Sequence, residues 1–156
     1  MPTLAVRVVD VYPYRLTSDG PAFLLLRRAP GTRYAGQWRM IGGKIEAGEA
    51  AHEAARRELH EETGLVPRRL WTVPSVNTFY EADADRVTIA PAFAAEVDRD
   101  PILDNDPSGT EHDAFAWLAP EDAAARLVWP EQQRLLLLCA DLLRRNAVLS
   151  EWEIQK

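Results

Sequence analysis

One cysteine serves the whole chain, and that scarcity excludes two chemistries at once. Cys139 has no partner for a disulfide, and no cysteine-based metal site can form. It falls in the Leu-rich run from Leu135 to Leu143, where a buried helical position is expected. Long apolar runs are missing as well. No stretch approaches the roughly 20 residues needed to cross a bilayer, and the N-terminus lacks the basic-then-apolar order of a signal segment. A membrane partner is therefore not expected, and a reduced, cytoplasmic location is. Positive charge is short: 18 Lys and Arg stand against 24 Asp and Glu, a net charge of −6. That balance disfavours long nucleic acid, whose phosphates need a basic surface. A small anion carried in by a metal ion meets no such objection. Internal repeats, low-complexity tracts and dividing linkers are also absent. What remains is 156 residues of ordinary apolar content, enough for one α/β domain over residues 1–156 with a real core.

The pattern along the chain places strands at Leu4 to Leu16 and Ala22 to Arg28, joined by the turn Ser18-Asp19-Gly20-Pro21. A loop over 29–37 and a short strand from Trp38 to Ile41 lead to a helix from about Glu49 to Thr63. Leu70 to Tyr80 and Val87 to Val97 bracket Asp83-Ala84-Asp85 as a hairpin, in which Pro91 marks an edge or a bulge. After a polar loop over 98–112, Ala114 to Leu118 forms a short strand. Pro120 and Pro130 each fit the first position of a helix, the second running to about Arg145. Strands and helices in this order give a mixed α/β chain without repeating βαβ units. The segment Val148 to Ile154 either adds a strand or contacts a partner subunit in a homodimer.

The stretch from Gly43 to Leu65, GKIEAGEAAHEAARRELHEETGL, carries the chemistry. Helical residues three and four apart share a face, so Glu58, Glu61 and Glu62 fall within an arc of about 100°. Three carboxylates so close repel unless a positive charge lies between them. Oxygen donors of this kind suit a hard divalent cation, Mg²⁺ first and Mn²⁺ second. The bland alternative is a solvated helix face, with Arg57 paired to Glu53 and Glu61. The flanks argue against it: Gly42-Gly43 lets backbone approach a ligand, and Gly64 closes the helix.

Gly43, Glu49, Arg57, Glu58, Leu59, Glu61, Glu62, Gly64 and Leu65 fill every fixed position of the Nudix box, and the chain resembles the Nudix hydrolases. The resemblance implies a Nudix-type α/β/α sandwich around a mixed sheet. It implies Mg²⁺-dependent hydrolysis of a nucleoside diphosphate linked to a further group, X. The expected substrate is a (d)NTP such as dATP, or dihydroneopterin triphosphate, cleaved to monophosphate plus pyrophosphate. By position, Glu58, Glu61, Glu62 and the Gly43 carbonyl match the family's metal ligands. Arg57 would orient the glutamates, and Glu49 would hold the helix start. Lys44 and Arg28 match positions that touch substrate phosphates, although Arg28 also fits a surface arginine at a strand end. Ile41 departs from the family, many of whose members have proline there.

Downstream, Glu111 is expected as general base or extra ligand, with a solvated loop carboxylate as the alternative. His112 is expected in a structural or substrate-edge role. Asp104-Asn105-Asp106-Pro107-Ser108-Gly109 starts like a calcium-binding loop but has Phe115 at the twelfth position, where a bidentate Glu is needed. Trp38, Asn77, Tyr80 and Trp129 are available to a nucleobase or pterin ring, and each also fits core or surface. Two alternatives keep part of this picture: an ADP-ribose or dinucleoside polyphosphate pyrophosphatase, and a noncatalytic nucleotide-binding regulatory module. A prenyl diphosphate isomerase on the same fold would need a cysteine near the site, where Cys139 is not expected.

Overall fold

Alternation along the second strand decides which side of the sheet each helix covers. In β2 (Val8–Thr17), Val9 and Val11 point one way and Tyr12 and Tyr14 the other, all fully buried. In β3 (Gly20–Arg28), Leu24 and Leu26 share the valine side, and Phe23 and Leu25 the tyrosine side. A sheet apolar on both faces must be covered on both. Helix α1 (Ala51–Thr63) covers the valine face with Ala54, Ala55 and Leu59. Helices α2 (Pro120–Arg126) and α3 (Pro130–Arg144) cover the tyrosine face with Ala123, Leu135, Leu136 and Cys139. Each fully buried Leu contributes roughly 2 kcal/mol. The result is the α/β/α sandwich, and Cys139 lies inside it, its thiol pushed up by burial. The computed structural model describes residues 1–103 and 111–155. The calcium-loop look-alike at Asp104 to Gly109, and Thr110, lie outside the described residues.

The remaining strands are β1 (Thr3–Ala5), β4 (Trp38–Arg39), β5 (Ile41–Lys44), β6 (Arg69–Glu81), β7 (Arg86–Glu96) and β8 (His112–Leu118). The sheet is mixed: β7 pairs in parallel with β1 and β2 and antiparallel with β6, while β2 pairs antiparallel with β3 and β5. Strand β8 pairs antiparallel with β3.

Several boundaries differ from the sequence expectation, each for a local reason. The first strand is broken at Val6-Arg7. Ala5 pairs with Thr88 and Asp10 with Ala92, so the N-terminal chain spends one residue more than β7 and bulges there. The short strand expected over Trp38 to Ile41 is divided at Met40: β4 pairs with β3, and β5 pairs with β2, carrying Gly42-Gly43 opposite Asp10 and Val9. The helix begins at Ala51 rather than Glu49, because Glu49 is engaged elsewhere and Glu53 accepts the Ala50 N–H at 2.8 Å. Pro91 lies on the central strand β7, so it marks no edge. It sits at a bulge, where Val73 to Ser75 of β6 intervene between pairs Thr72–Phe93 and Val76–Pro91. Pro120 and Pro130 open α2 and α3 as expected. The C-terminal segment folds back on its own chain: Ile154 N–H donates to Leu70 O at 2.8 Å, and Glu153 bridges to Trp71. Among the described residues no helix is long and apolar enough to cross a membrane.

Candidate active site

The geometry begins at β5. A Cβ on Gly43 would lie 2.2 Å from the Glu58 carboxyl carbon, so glycine at this position leaves the Glu58 carboxylate the place it occupies against β5. One residue on, the Lys44 carbonyl accepts a hydrogen bond from Arg57 Nη2 at 2.8 Å. Arg57 also grips Glu49 through two bonds, Nε to Oε2 at 2.7 Å and Nη2 to Oε1 at 2.9 Å. Its Nη1 reaches Glu58 Oε1 at 2.9 Å and Glu61 Oε2 at 3.2 Å. The planar fork thus ties the β5 end, the preceding loop and two turns of helix together. These bonds pull Glu49 down to about 2, helped by the Glu46 backbone N–H, and hold the Arg57 guanidinium firmly charged.

A second cluster lies beside this hub and has the opposite character. Burial raises the Glu62 carboxyl well above its ordinary value, and the Glu58 and Glu111 charges push it further. The Gly42 backbone N–H and Arg28 offset only part of this. Glu62 Oε2 is buried and has no hydrogen-bond partner. Glu58 is also raised, chiefly by burial, against the pull of Arg57. His112 Nε2 lies 3.8 Å from Glu62 Oε1. Burial, with Arg28 and Arg39 nearby, lowers His112 to about 4, so it is neutral at pH 7 and neutralises nothing. Among the described residues, ligand atoms of Glu62, Glu111 and His112 lie within 4.8 Å of one another. A buried carboxylate with an orphaned oxygen, two more carboxylates beside it and a neutral imidazole is a donor set that fits a divalent cation.

A bulge brings His112 there. Arg27 pairs with Ala114 but Arg28 pairs with His112, so β8 skips Asp113. Asp113 instead takes two bonds from Arg27, at 2.8 and 3.2 Å. Arg28 lies on the α1 face with Leu24 and Leu26, and its Nη1 is 3.8 Å from Glu111 Oε2. The Glu111 side chain is 69% exposed, at the mouth of the cluster.

The sequence-expected residues therefore divide. Gly43, Arg57, Glu58 and Glu61 gather around the hub, and Glu62, Glu111, His112 and Arg28 around the buried oxygen. Lys44 contributes its carbonyl to the hub, and its side chain is exposed. Trp38 is half-buried, with Arg27 and Arg126 guanidinium groups 5.8 and 5.0 Å from its ring. Asn77 is buried and donates to Asp10 at 2.9 Å. Tyr80 is not brought to the site: β2 and β7 separate its strand from β5, and its hydroxyl donates to Asp85 at 2.7 Å. Trp129 precedes α3 and is exposed. The acid that Asn77 meets, Asp10, is a buried lone carboxyl within the run Val8-Val9-Asp10-Val11-Tyr12, on the face of the sheet away from Glu62.

The sequence model of the NUDIX domain matches residues 1–139. A nucleoside triphosphatase, NudI, from Escherichia coli O81 (strain ED1a) is 32% identical over 117 residues, covering 69% of this chain and 79% of that protein. An octanoyltransferase from Myxococcus xanthus is 38% identical over 131 residues, covering 78% of this chain. The chain spans about a third of that protein's length (33%). A structure solved as a NUDIX hydrolase from Listeria monocytogenes superposes with a TM-score of 0.74 at 23% identity, covering 94% of this chain and 97% of the other.

Proposed function

Because this chain belongs to the NUDIX family, we propose that it hydrolyses a phosphoanhydride bond in a nucleoside diphosphate linked to X. The substrate is a nucleoside or pterin triphosphate, and the products are the monophosphate and pyrophosphate. The observation that carries this reading is the unpartnered Oε2 of buried Glu62, ringed by the charges of Glu58 and Glu111. Such a carboxylate asks for a cation and not for another proton acceptor.

Glu58, Glu61, Glu62 and the Gly43 carbonyl would hold Mg²⁺, or Mn²⁺ in its place. When bound, the ion neutralises phosphate oxygens and lowers the pKa of a water. The remaining work falls to the chain. Arg57 fixes the rotamers of Glu58 and Glu61, so that the cluster is oriented before substrate arrives. Glu49 anchors Arg57 from the opposite side. Arg28 and Lys44 meet phosphate oxygens with positive charge. Glu111, exposed beside Glu62, accepts the proton of the attacking water as the new P–O bond forms and the bridging P–O bond breaks. Neutral His112, its Nε2 3.8 Å from Glu62 Oε1, leaves the Glu62 charge to be met by the ion. The similarity to a nucleoside triphosphatase supports a triphosphate as substrate.

The test is a substrate panel with Mg²⁺: common and oxidised (d)NTPs, dihydroneopterin triphosphate, ADP-ribose and diadenosine polyphosphates, with products resolved by chromatography and EDTA as control. Pyrophosphate release from a triphosphate, abolished by EDTA, is the expected result. Preference for ADP-ribose or a dinucleotide would overturn the choice of X. Mg²⁺ binding without turnover of any compound would overturn the enzyme reading in favour of a noncatalytic nucleotide-binding module.

A further inference from the structure

The C-terminal segment turns round the β6 edge of the sheet and encloses a recess there. Trp152 packs against the core on the α3 face, and Ile154 against the core on the α1 face. Between them, Glu153 bridges to Trp71 and pairs with Arg69. A recess of about 360 Å³ lies between α1, the start of β6 and this segment, and its walls carry Arg56, Arg68, Arg69 and Glu153.

Three guanidinium groups against one carboxylate leave this recess positive in a chain of net charge −6. Arg69 takes up the Glu153 charge. Among the described residues Arg56 and Arg68 meet no carboxylate, and Arg56 Nη2 has the Gln155 carbonyl at 3.5 Å. A recess walled by protein and lined by one sign of charge concentrates its field on a counter-ion. A phosphate group brings three acceptor oxygens and close to two negative charges, enough to answer two guanidinium forks at once. A carboxylate brings a single charge.

The recess is separate from the glutamate cluster. Successive helical residues turn by roughly 100°, so Arg56 points about 160° away from Glu58 and about 120° away from Glu62. Helix α1 therefore stands between the recess and the proposed Mg²⁺ ligands.

We propose that Arg56, Arg68 and Arg69 form a second anion site, distinct from the catalytic centre, that takes a small phosphate-bearing molecule. The ligand is either the free anion, phosphate or pyrophosphate, or a phosphate monoester such as a nucleoside monophosphate. In both cases the phosphate group is what the arginines hold. The walls come from α1, β6 and the C-terminal segment, so a bound anion ties the three together and raises the melting temperature. The site stands whether or not the chain hydrolyses a triphosphate.

The test is calorimetric titration of the full chain with phosphate, pyrophosphate, AMP and acetate, in EDTA and at about 150 mM salt to hold screening constant. At least one phosphate compound binds with a Kd below about 1 mM, and acetate binds at least about tenfold more weakly. Arg56→Gln and Arg68→Gln each weaken that binding by about tenfold or more, whereas Arg28→Gln, at the catalytic site, changes it by less than about twofold. Phosphate or pyrophosphate as the tightest ligand marks the free anion, and AMP marks the ester; either result supports the site. The proposal is overturned if no phosphate compound binds below about 1 mM, or if acetate binds equally well. Binding that is lost in Arg28→Gln and kept in the other two variants overturns it as well, because the anion then lies on the catalytic side. Should Arg56→Gln fail to fold, Arg68→Gln decides, since Arg68 is exposed.

Discussion

Glu49 lies just ahead of helix α1 and Glu62 in its last turn, yet the fold treats them in opposite ways. Glu49 accepts two bonds from Arg57 and one from a backbone N–H, and its carboxyl is pulled down to about 2. Glu62 is buried beside two like charges with one oxygen unpartnered, and its carboxyl is pushed up. One cluster is complete within the protein; the other lacks a positive charge. A fold that retains both contains a brace and a receptor side by side. The brace makes the receptor usable, because Arg57 reaches Glu58 and Glu61 with the same guanidinium that grips Glu49.

Substitution at Glu62 breaks the comparison most severely. Glu62→Gln keeps the shape and removes the charge, and turnover should fall by about a thousandfold or more. Mg²⁺ should no longer raise the melting temperature in this variant, measured by differential scanning fluorimetry. An unchanged Mg²⁺ dependence would remove Glu62 from the ligand set.

Glu111→Gln comes next. If Glu111 is the proton acceptor, kcat falls by roughly a hundredfold while Mg²⁺ binding, followed by calorimetry, is weakened far less. A loss below about fivefold would reject that role. On the brace side, Arg57→Lys keeps the charge but loses the fork. The melting temperature should drop by roughly 5 °C and turnover by about tenfold. Gly43→Ala presses a methyl into Glu58 and should cost about 1–3 kcal/mol in urea unfolding, together with activity.

The smallest effect is the most diagnostic. Glu49 has a folded pKa below its unfolded value, so its contribution is present above about pH 4.5 and lost as pH falls towards 2. Glu62 has the reverse sign: its folded pKa is raised, the folded state holds the extra proton, and stability falls as pH rises above the ordinary 4.5. His112, lowered to about 4, contributes stability that is lost as pH falls from 6.5 towards 4. In EDTA, the difference in unfolding free energy between wild type and Glu62→Gln isolates the Glu62 part. It should move against the wild type as pH rises from 4 to 7, and saturating Mg²⁺ should reverse it. A flat difference would mean that Glu62 carries no unmet charge.

Much of this was legible before any coordinates. The run Arg57-Glu58-Leu59-His60-Glu61-Glu62 puts its acids on one helical face by a period of 3.6, and the glycines at 43 and 64 bound the unit. Periodicity and turn residues placed most strands, the hairpin and both proline-started helices to within a few residues. The break at Val6-Arg7 was not legible, because it depends on where β7 runs alongside. Nor was the reach of β5 to Lys44: glycine favours no strand, and only the pairing with β2 puts Gly42 and Gly43 in one.

By itself, the sequence determined the helix that carries the glutamates and the family to which it belongs, since both rest on spacing within a short stretch of chain. The tertiary structure alone decided the rest. It chose His112 over Asp113 to face Glu62 through one skipped residue in β8. It put Asp10, Asn77 and Gln132, from three distant elements, against one another on the far face. Helical faces follow from local geometry, whereas strand register and the meeting of separate elements are set by packing across the whole sheet, where one residue of slip exchanges the two faces.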